Sequence, residues 1–319
     1  MRAWRCAAVL VILALLGSCQ KPPDRGEVVF QLDRDQLVDD QLEAYVQPMA
    51  DALKSAQPTI HFIGTGVADG AVRVRLLDPA DLPRAHAALA GLGISVLQDE
   101  PNATIAARLS PTAADALAAG AGQAAMSVLQ HRLGVRAASV SLRGSDIVVV
   151  VADRTAMASV IRTSTPRGLL TFQMVDEVSA EDLATGVVPF DDVVAGPYPG
   201  VGRQSEVVRR RPDLTGHIAR ARGRFDENRG EWVMAFELDD VGKHAFCRIT
   251  SDNVGKRFAV LIDGQVLTAP RINEPICGGS GQIEGDFTAE TASEFAALLE
   301  GGALPAQLKV VSQRTLDPH

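Results

Sequence analysis

Apolar positions along this chain keep two rhythms. Between residues 36 and 56, Leu42, Tyr45, Val46, Met49 and Leu53 recur at helical steps and line one face. Residues 82–92 and 155–163 repeat that rhythm more briefly. A long Ala-rich helix is predicted from Pro111 to about Leu133. Proline suits its first turn, where a missing N–H costs little, and Gly134 ends it. Short β-branched runs at 28–32, 60–63, 71–77, 95–98, 104–109, 140–143, 147–151 and 169–175 read as strands. The order predicts an α+β fold of two successive ferredoxin-like βαββαβ units. The first would be opened by the strand at 28–32, the second by the strand at 104–109. Gly64, Thr65, Gly66 and Gly70 fall in a loop between two strands of the first unit.

Residues 177–215 are polar and rich in Gly, Pro and charge, and read as a long, partly mobile connection. Beyond them, 232–238 is a strand. Asp239 or Asp240 caps a helix whose inner face is Val241, Ala245, Phe246 and Ile249, and Asn253 to Gly255 stops it. Two strand-like runs, 258–262 and 265–269, flank Asp263-Gly264, a pair suited to the positive φ angles of a tight hairpin turn. Pro270 ends the pairing. Gly278, Gly279 and Gly281 permit backbone angles closed to other residues. Thr288 caps a further helix, Glu290 suits its positive end, Gly301-Gly302 stops it, and 307–311 is a last strand.

Together the runs Asn253-Val-Gly255-Lys-Arg, Ala-Val-Leu-Ile-Asp263-Gly264, Thr-Ala-Pro270, Gly278-Gly279-Ser-Gly-Gln-Ile and Gly302-Ala-Leu-Pro305-Ala resemble the SecD family of bacterial protein-export accessory subunits. They match the head and the return strand of its first periplasmic domain. HRLGVRAASVSLRGSDIVVVVAD and GLLTFQMVDE resemble the base beneath the head, and LTGHIARARGRFD its entry. The resemblance implies a base with an inserted head. It divides the chain into a signal peptide at 1–18, an N-terminal ferredoxin-like part at 27–100, a base at 101–176 plus 304–316, and a head at 177–303. The Asp-Leu-x-Gly-Gly signature that usually precedes the first strand is here Asp24-Arg25-Gly26-Glu27.

Composition narrows the setting. Hydrophobic residues make up 46% of 319, enough for a sizeable core, and the formal charge of −8 argues against a general nucleic-acid surface. Arg2 and Arg5 precede an apolar stretch from Cys6 to Leu16, which is the plan of an export signal and is short for a membrane span. Leu16-Gly17-Ser18-Cys19 resembles a lipobox, which implies lipidation of Cys19. Gln20 after it slightly favours the outer membrane. No later run reaches spanning length, so the membrane-helix bundle of SecD-like proteins is expected to be lacking.

The candidate chemistry is sparse. His61, His86, His131, His217, His244 and His319 are scattered without ligand spacing, so neither a metal nor a cofactor is expected. The glycines at 64–70 precede a strand, not a helix, and so form no phosphate loop. Asp191-Asp192 reads as a solvated loop pair and Asp239-Asp240 as a helix start. Cys247 and Cys277 both fall in the head, in an oxidising compartment, either as a disulfide or as two free thiols. Arg203, Arg209, Arg210, Arg211, Arg220, Arg222 and Arg224 form a basic set in an acidic chain. It is either a solvated loop and strand edge or a steering surface for an acidic partner.

The expected function is therefore non-catalytic. It is that of a lipid-tethered periplasmic module whose head binds unfolded or exported polypeptide, alone or beside Sec translocon components. The alternative is an adaptor lipoprotein that binds a folded cell-envelope partner.

Overall fold

The computed structural model describes residues 24–93, 96–177, 188–189 and 191–316. In chain order it contains β1 (Arg25–Leu32), α1 (Arg34–Ser55), β2 (Phe62–Ala68), β3 (Ala71–Leu76), α2 (Leu82–Leu89), β4 (Val96–Glu100), β5 (Thr104–Arg108) and α3 (Pro111–Leu133). There follow β6 (Ser139–Arg143), β7 (Asp146–Val151), α4 (Met157–Ser164), β8 (Leu170–Met174), β9 (Asp192–Ala195), β10 (Glu206–Arg209) and β11 (Leu214–Thr215). The remainder is β12 (Ile218–Asp226), β13 (Glu231–Leu238), α5 (Asp240–Asp252), β14 (Phe258–Ile262), β15 (Gln265–Thr268), β16 (Ser280–Phe287), α6 (Ala289–Glu300) and β17 (Leu308–Leu316).

The base is one βαββαβ unit assembled from distant parts of the chain. Its sheet runs β17-β1-β7-β6, every neighbour antiparallel, which is the ferredoxin-like order with the last strand beside the first. Val28, Phe30, Ile147, Val149 and Leu308 close onto Ala125, Leu129 and Leu133 of α3 and Val160 of α4. Ser110 caps α3 by accepting from the Ala113 N–H, and Pro111 occupies its first turn.

The N-terminal lobe is inserted between β1 and α3. Its sheet runs β2-β3-β5-β4 and covers Leu42, Met49 and Leu53 of α1 and Leu89 of α2. Here the structure corrects the strand assignment. The strand at 28–32 does not open this unit; it lies in the middle of the base sheet. The strand at 104–108 takes the vacated place, so the lobe is a circularly permuted ferredoxin-like unit. The glycines at 64 and 66 lie within β2 rather than in a loop, where Gly64 has φ +70° and the register with β3 shifts.

The head is inserted between α4 and β17, and it takes in β8, which the sequence predicts to close the base unit but which pairs instead with β14 and β11. One sheet runs β11-β8-β14-β15 and a second runs β12-β13-β16. Between them sit Phe172, Phe236, Phe246 and Phe258, with Phe172 edge-on to Phe246 at 5.2 Å and stacked on Phe258 at 5.8 Å. All five residues of β14 are buried. Phe258, Val260 and Ile262 face this aromatic cluster, whereas Ala259 and Leu261 face Val175, Ala195 and Val208. A strand covered on both faces reads as an unbroken apolar run.

The second cover comes from a stretch read as a mobile connection. Residues 192–195 and 206–209 pair as an antiparallel hairpin, joined to the end of β8 through a Val175–Val208 bridge. Residues 178–187 and 190 lie outside the described residues. Asp192, read as solvated, is buried within β9. The buried Glu206 carboxylate holds the Arg257 guanidinium, fixing β10 to the start of β14. Val241 is a further correction. It is 64% exposed, because the face of α5 that turns inward at this point carries Gly242, packed against His217.

Candidate functional site

The chain passes from base to head through 165–169 and returns through 301–307. Both crossings meet one side chain. Arg132, in the last turn of α3, is 1% exposed. Its Nη1 donates to the carbonyls of Pro166 at 2.8 Å and Thr163 at 3.4 Å. Its Nη2 donates to Arg167 at 2.5 Å and to Gly302 at 2.6 Å, and Nε also reaches Gly302 at 3.2 Å. Five donors in a planar fork suit such a crossing of backbones. A Cβ at Gly168 would lie 2.5 Å from Nη2, and one at Gly301 would collide with Cγ, so glycine makes room for the guanidinium at the first position and for the aliphatic stem at the second. Burial pushes the Arg132 pKa down to about 10, against the charge of Asp263. The group still carries its proton at neutral pH.

The Asp263-Gly264 turn docks on the outbound crossing. Both residues have positive φ, +51° and +77°, as the hairpin motif requires. The Asp263 carboxylate accepts from the N–H groups of Gly168 at 3.1 Å and Leu169 at 2.8 Å, and its own N–H donates to the Leu169 carbonyl. The N-terminal lobe reaches the same place. Gln36 accepts from the Gln307 N–H at 2.8 Å, and Asp40 pairs with Arg167 at 2.7 Å. Between the three lobes lies a polar cavity of about 420 Å³ that includes Tyr198, Gln265 and Gln307 in its wall. Burial and then the charge of Asp263 hold the Tyr198 hydroxyl above its usual range.

The other motif residues gather in two places. Gly302 (φ +83°) and Pro305 belong to the return crossing, where the Leu304 N–H donates to the Arg167 carbonyl. The rest lie against the two ends of α5, Asn253, Gly255 and Pro270 at its C-terminal end and Gly278 and Gly279 beside its first turn. There Asn253 caps the helix and donates to the Ile249 carbonyl at 2.8 Å, and the Gly255 N–H (φ +85°) donates to Ile272. The Pro270 carbonyl accepts from Phe258, and Gly279 (φ +75°), next to Gly278, accepts from Leu238. Cys247 of α5 and Cys277 form a disulfide with Cα atoms 4.3 Å apart. Cys19 lies outside the described residues.

The second sheet of the head has one covered and one open face. Gly223 lets α6 approach until an added Cβ would stand 2.9 Å from the Ala292 backbone. On the opposite face, Arg220, Arg222 and Arg224 of β12 line a shallow concavity of about 390 Å³ with Ala235, Glu237 and Gln282. Register places Arg222, Ala235 and Gln282 in one row and Arg220, Glu237 and Ser280 in the next. The other arginines of the basic set are elsewhere. Arg203 pairs with Asp286 at 2.9 Å, Arg209 approaches Asp213, and Arg210 donates to the Asp192 carbonyl.

Asp239 caps α5 by accepting from Gly242 at 2.8 Å and also meets His217 at 3.0 Å. These two bonds, the helix cap first, hold its carboxyl below the usual aspartate range. Among the described residues, no three His, Cys, Asp or Glu side chains gather as metal ligands, and no helix is long and apolar enough to cross a membrane.

Sequence reasoning missed Arg132, although a sign of it was present. The buried stripe of α3 runs Ala125, Leu129, Arg132, so a charge stands where the helical period demands an apolar residue.

Comparison with known proteins agrees with this architecture. Residues 195–306 match the family model for the SecDF P1 head subdomain. The protein translocase subunit SecD of Acetobacter pasteurianus is 31% identical over 304 residues, covering 91% of this chain and 57% of that protein. SecD of Rickettsia conorii is 40% identical over 153 residues, 47% of this chain and 29% of that one. The crystal structure of SecDF in a super-membrane-facing form superposes with a TM-score of 0.50 at 27% identity, covering 62% of this chain and 28% of that one. The chain thus spans little more than half of the Acetobacter relative and less of the others. Within that span the likeness is to the SecD family, in its periplasmic P1 domain, with the family-model match falling on the head.

Proposed function

We propose that this chain is an accessory of protein export that acts in the periplasm. Its head receives unfolded or translocating polypeptide, and a lipid on Cys19 holds it to a membrane near Sec components. The observation that carries this reading is the hanging of the head. The chain enters and leaves it through two adjacent crossings gathered at Arg132 and Asp263, α6 rests on α4 through Arg162 with Glu290 and Glu294, and an open sheet face is turned away from α6. Such a lobe presents backbone and side chains to an extended segment without rearranging its core. No metal or nucleophile is needed for that task.

The test is photocrosslinking in cells, with a photoreactive residue at position 235 on the open face and, as control, at position 75 on the N-terminal lobe. Adducts with secretory precursors at 235 that vanish when the precursor's signal sequence is inactivated support the reading. Adducts equal at both positions, or indifferent to the signal sequence, refute it. Cys19→Ala should release the chain from the membrane fraction; retention there would remove the lipid tether from the proposal.

A further inference from the structure

The open face of the head has a charge pattern that specifies its occupant more narrowly. Arg220, Arg222 and Arg224 stand on alternate positions of β12 and so project to one side at a repeat of about 6.7 Å. In the same lobe Arg203, Arg229, Arg257 and Arg271 each pair with a carboxylate. On the open face only Arg220 has such a partner, Glu237, at 3.8 Å with both side chains more than half exposed. Among the described residues, Arg222 and Arg224 have none. Two neighbouring like charges left uncompensated on one strand repel each other, in a chain whose net charge is −8.

We infer that this face docks an extended polypeptide segment carrying Asp or Glu at alternate positions. The inference rests on the proposed polypeptide-binding role and names the chemistry of the segment. An extended chain repeats its same-side residues at the spacing of the arginines, so successive carboxylates meet successive guanidinium forks. Ala235 and Ser280, both small, leave the middle of the concavity low enough for a backbone to lie there. A bilayer surface fits poorly. The face is concave, it carries Glu237 in its central strand, and Ala235, Ser280 and Gln282 offer no large apolar side chain for insertion.

The test measures binding of three short fluorescent peptides to the full-length chain by anisotropy. They alternate Thr with Glu, Gln or Lys. The Glu peptide should bind about tenfold or more tighter than the Gln peptide at about 0.05 M salt, and the gap should shrink at about 0.5 M. The Lys peptide should bind weakest. Arg222→Glu with Arg224→Glu should abolish the Glu preference, whereas Arg75→Glu on the N-terminal lobe should leave it; thermal melts confirm that the variants fold. Equal binding of the Glu and Gln peptides overturns the acidic preference and leaves the polypeptide reading standing. No binding of any peptide overturns both. Binding to anionic vesicles that the same double substitution removes, with no peptide preference, overturns the inference in favour of a lipid surface.

Discussion

Arg132 and Gly302 lie 170 positions apart in sequence, yet Nη2 of the first stands 2.6 Å from the carbonyl oxygen of the second. One guanidinium from the base thereby holds both strands of chain that lead to the head. Removing it with Arg132→Ala leaves the carbonyls of Thr163, Pro166, Arg167 and Gly302 buried without this donor, at a cost of about 3–5 kcal/mol. Arg132→Lys should recover only part, because an ammonium cannot span both crossings. The group stays charged far above neutrality, so the loss should be the same from about pH 5 to 8. Gly301→Ala should cost about 1–3 kcal/mol by crowding the arginine, and much less when Arg132→Ala is already present. Denaturant unfolding of the four proteins checks the cycle.

Asp263 separates two demands made on one position. The turn needs a residue that tolerates φ near +51°, and the crossing needs an acceptor for Gly168 and Leu169. Asp263→Asn keeps the turn but halves the acceptors, and should cost about 1 kcal/mol. Asp263→Ala loses both and should cost about 2–3 kcal/mol. Hydrogen exchange should accelerate at the Gly168 and Leu169 amides in both variants, more in the second. Unchanged protection there would contradict the docking role.

The disulfide closes a separation of 30 residues. By loop-closure entropy it should stabilise the head by about 3–4 kcal/mol. Thiol titration of the unfolded, unreduced protein should find neither Cys247 nor Cys277 reactive. Cys247→Ser with Cys277→Ser should lower the denaturation midpoint by the corresponding amount.

Asp33 links the last strand to the first helix. It pairs with Lys309 at 2.6 Å and caps α1 at the Gln36 N–H. The Lys309 bond leads in holding its carboxyl below the ordinary aspartate range. A depressed folded-state value contributes stability above the unfolded pKa of about 4, lost as pH falls through the lowered value. Asn still caps but carries no charge. Asp33→Asn should therefore lower the melting temperature at about pH 6 and make little difference at about pH 2. An equal difference at both would show that the charge of Asp33 is not its cause.

Much of this molecule is legible in its residues, and the limits have identifiable causes. Helix α3 and the Asp263-Gly264 hairpin are written in local signals, a first-turn proline and a turn pair, that act within a few positions. The partners of β1 are not local. The runs at 28–32 and 104–108 both read as short apolar strands, and their sheets are decided by β17, almost three hundred residues from β1. The hairpin of β9 and β10 escaped notice because its valine pairs sit between prolines, glycines and charges, while the apolar face it covers belongs to β14. Arg132 satisfies backbone carbonyls, which leave no mark on side-chain patterns. For the open face, the stretch from 203 to 224 showed seven arginines, and only the fold showed which three share a surface.

The placing of β17 beside β1 bears on how the protein matures. Among the described strands β1 is made before the others, yet it gains one of its two neighbours only when β17 is complete. Meanwhile the N-terminal lobe and the head, each framed within a continuous stretch, have everything needed for their own sheets. The base is thus the late-closing part of the molecule. A chain interrupted before residue 308 would carry two formed lobes strung on an open frame, with the edge of β1 bare and ready to pair with a stranger.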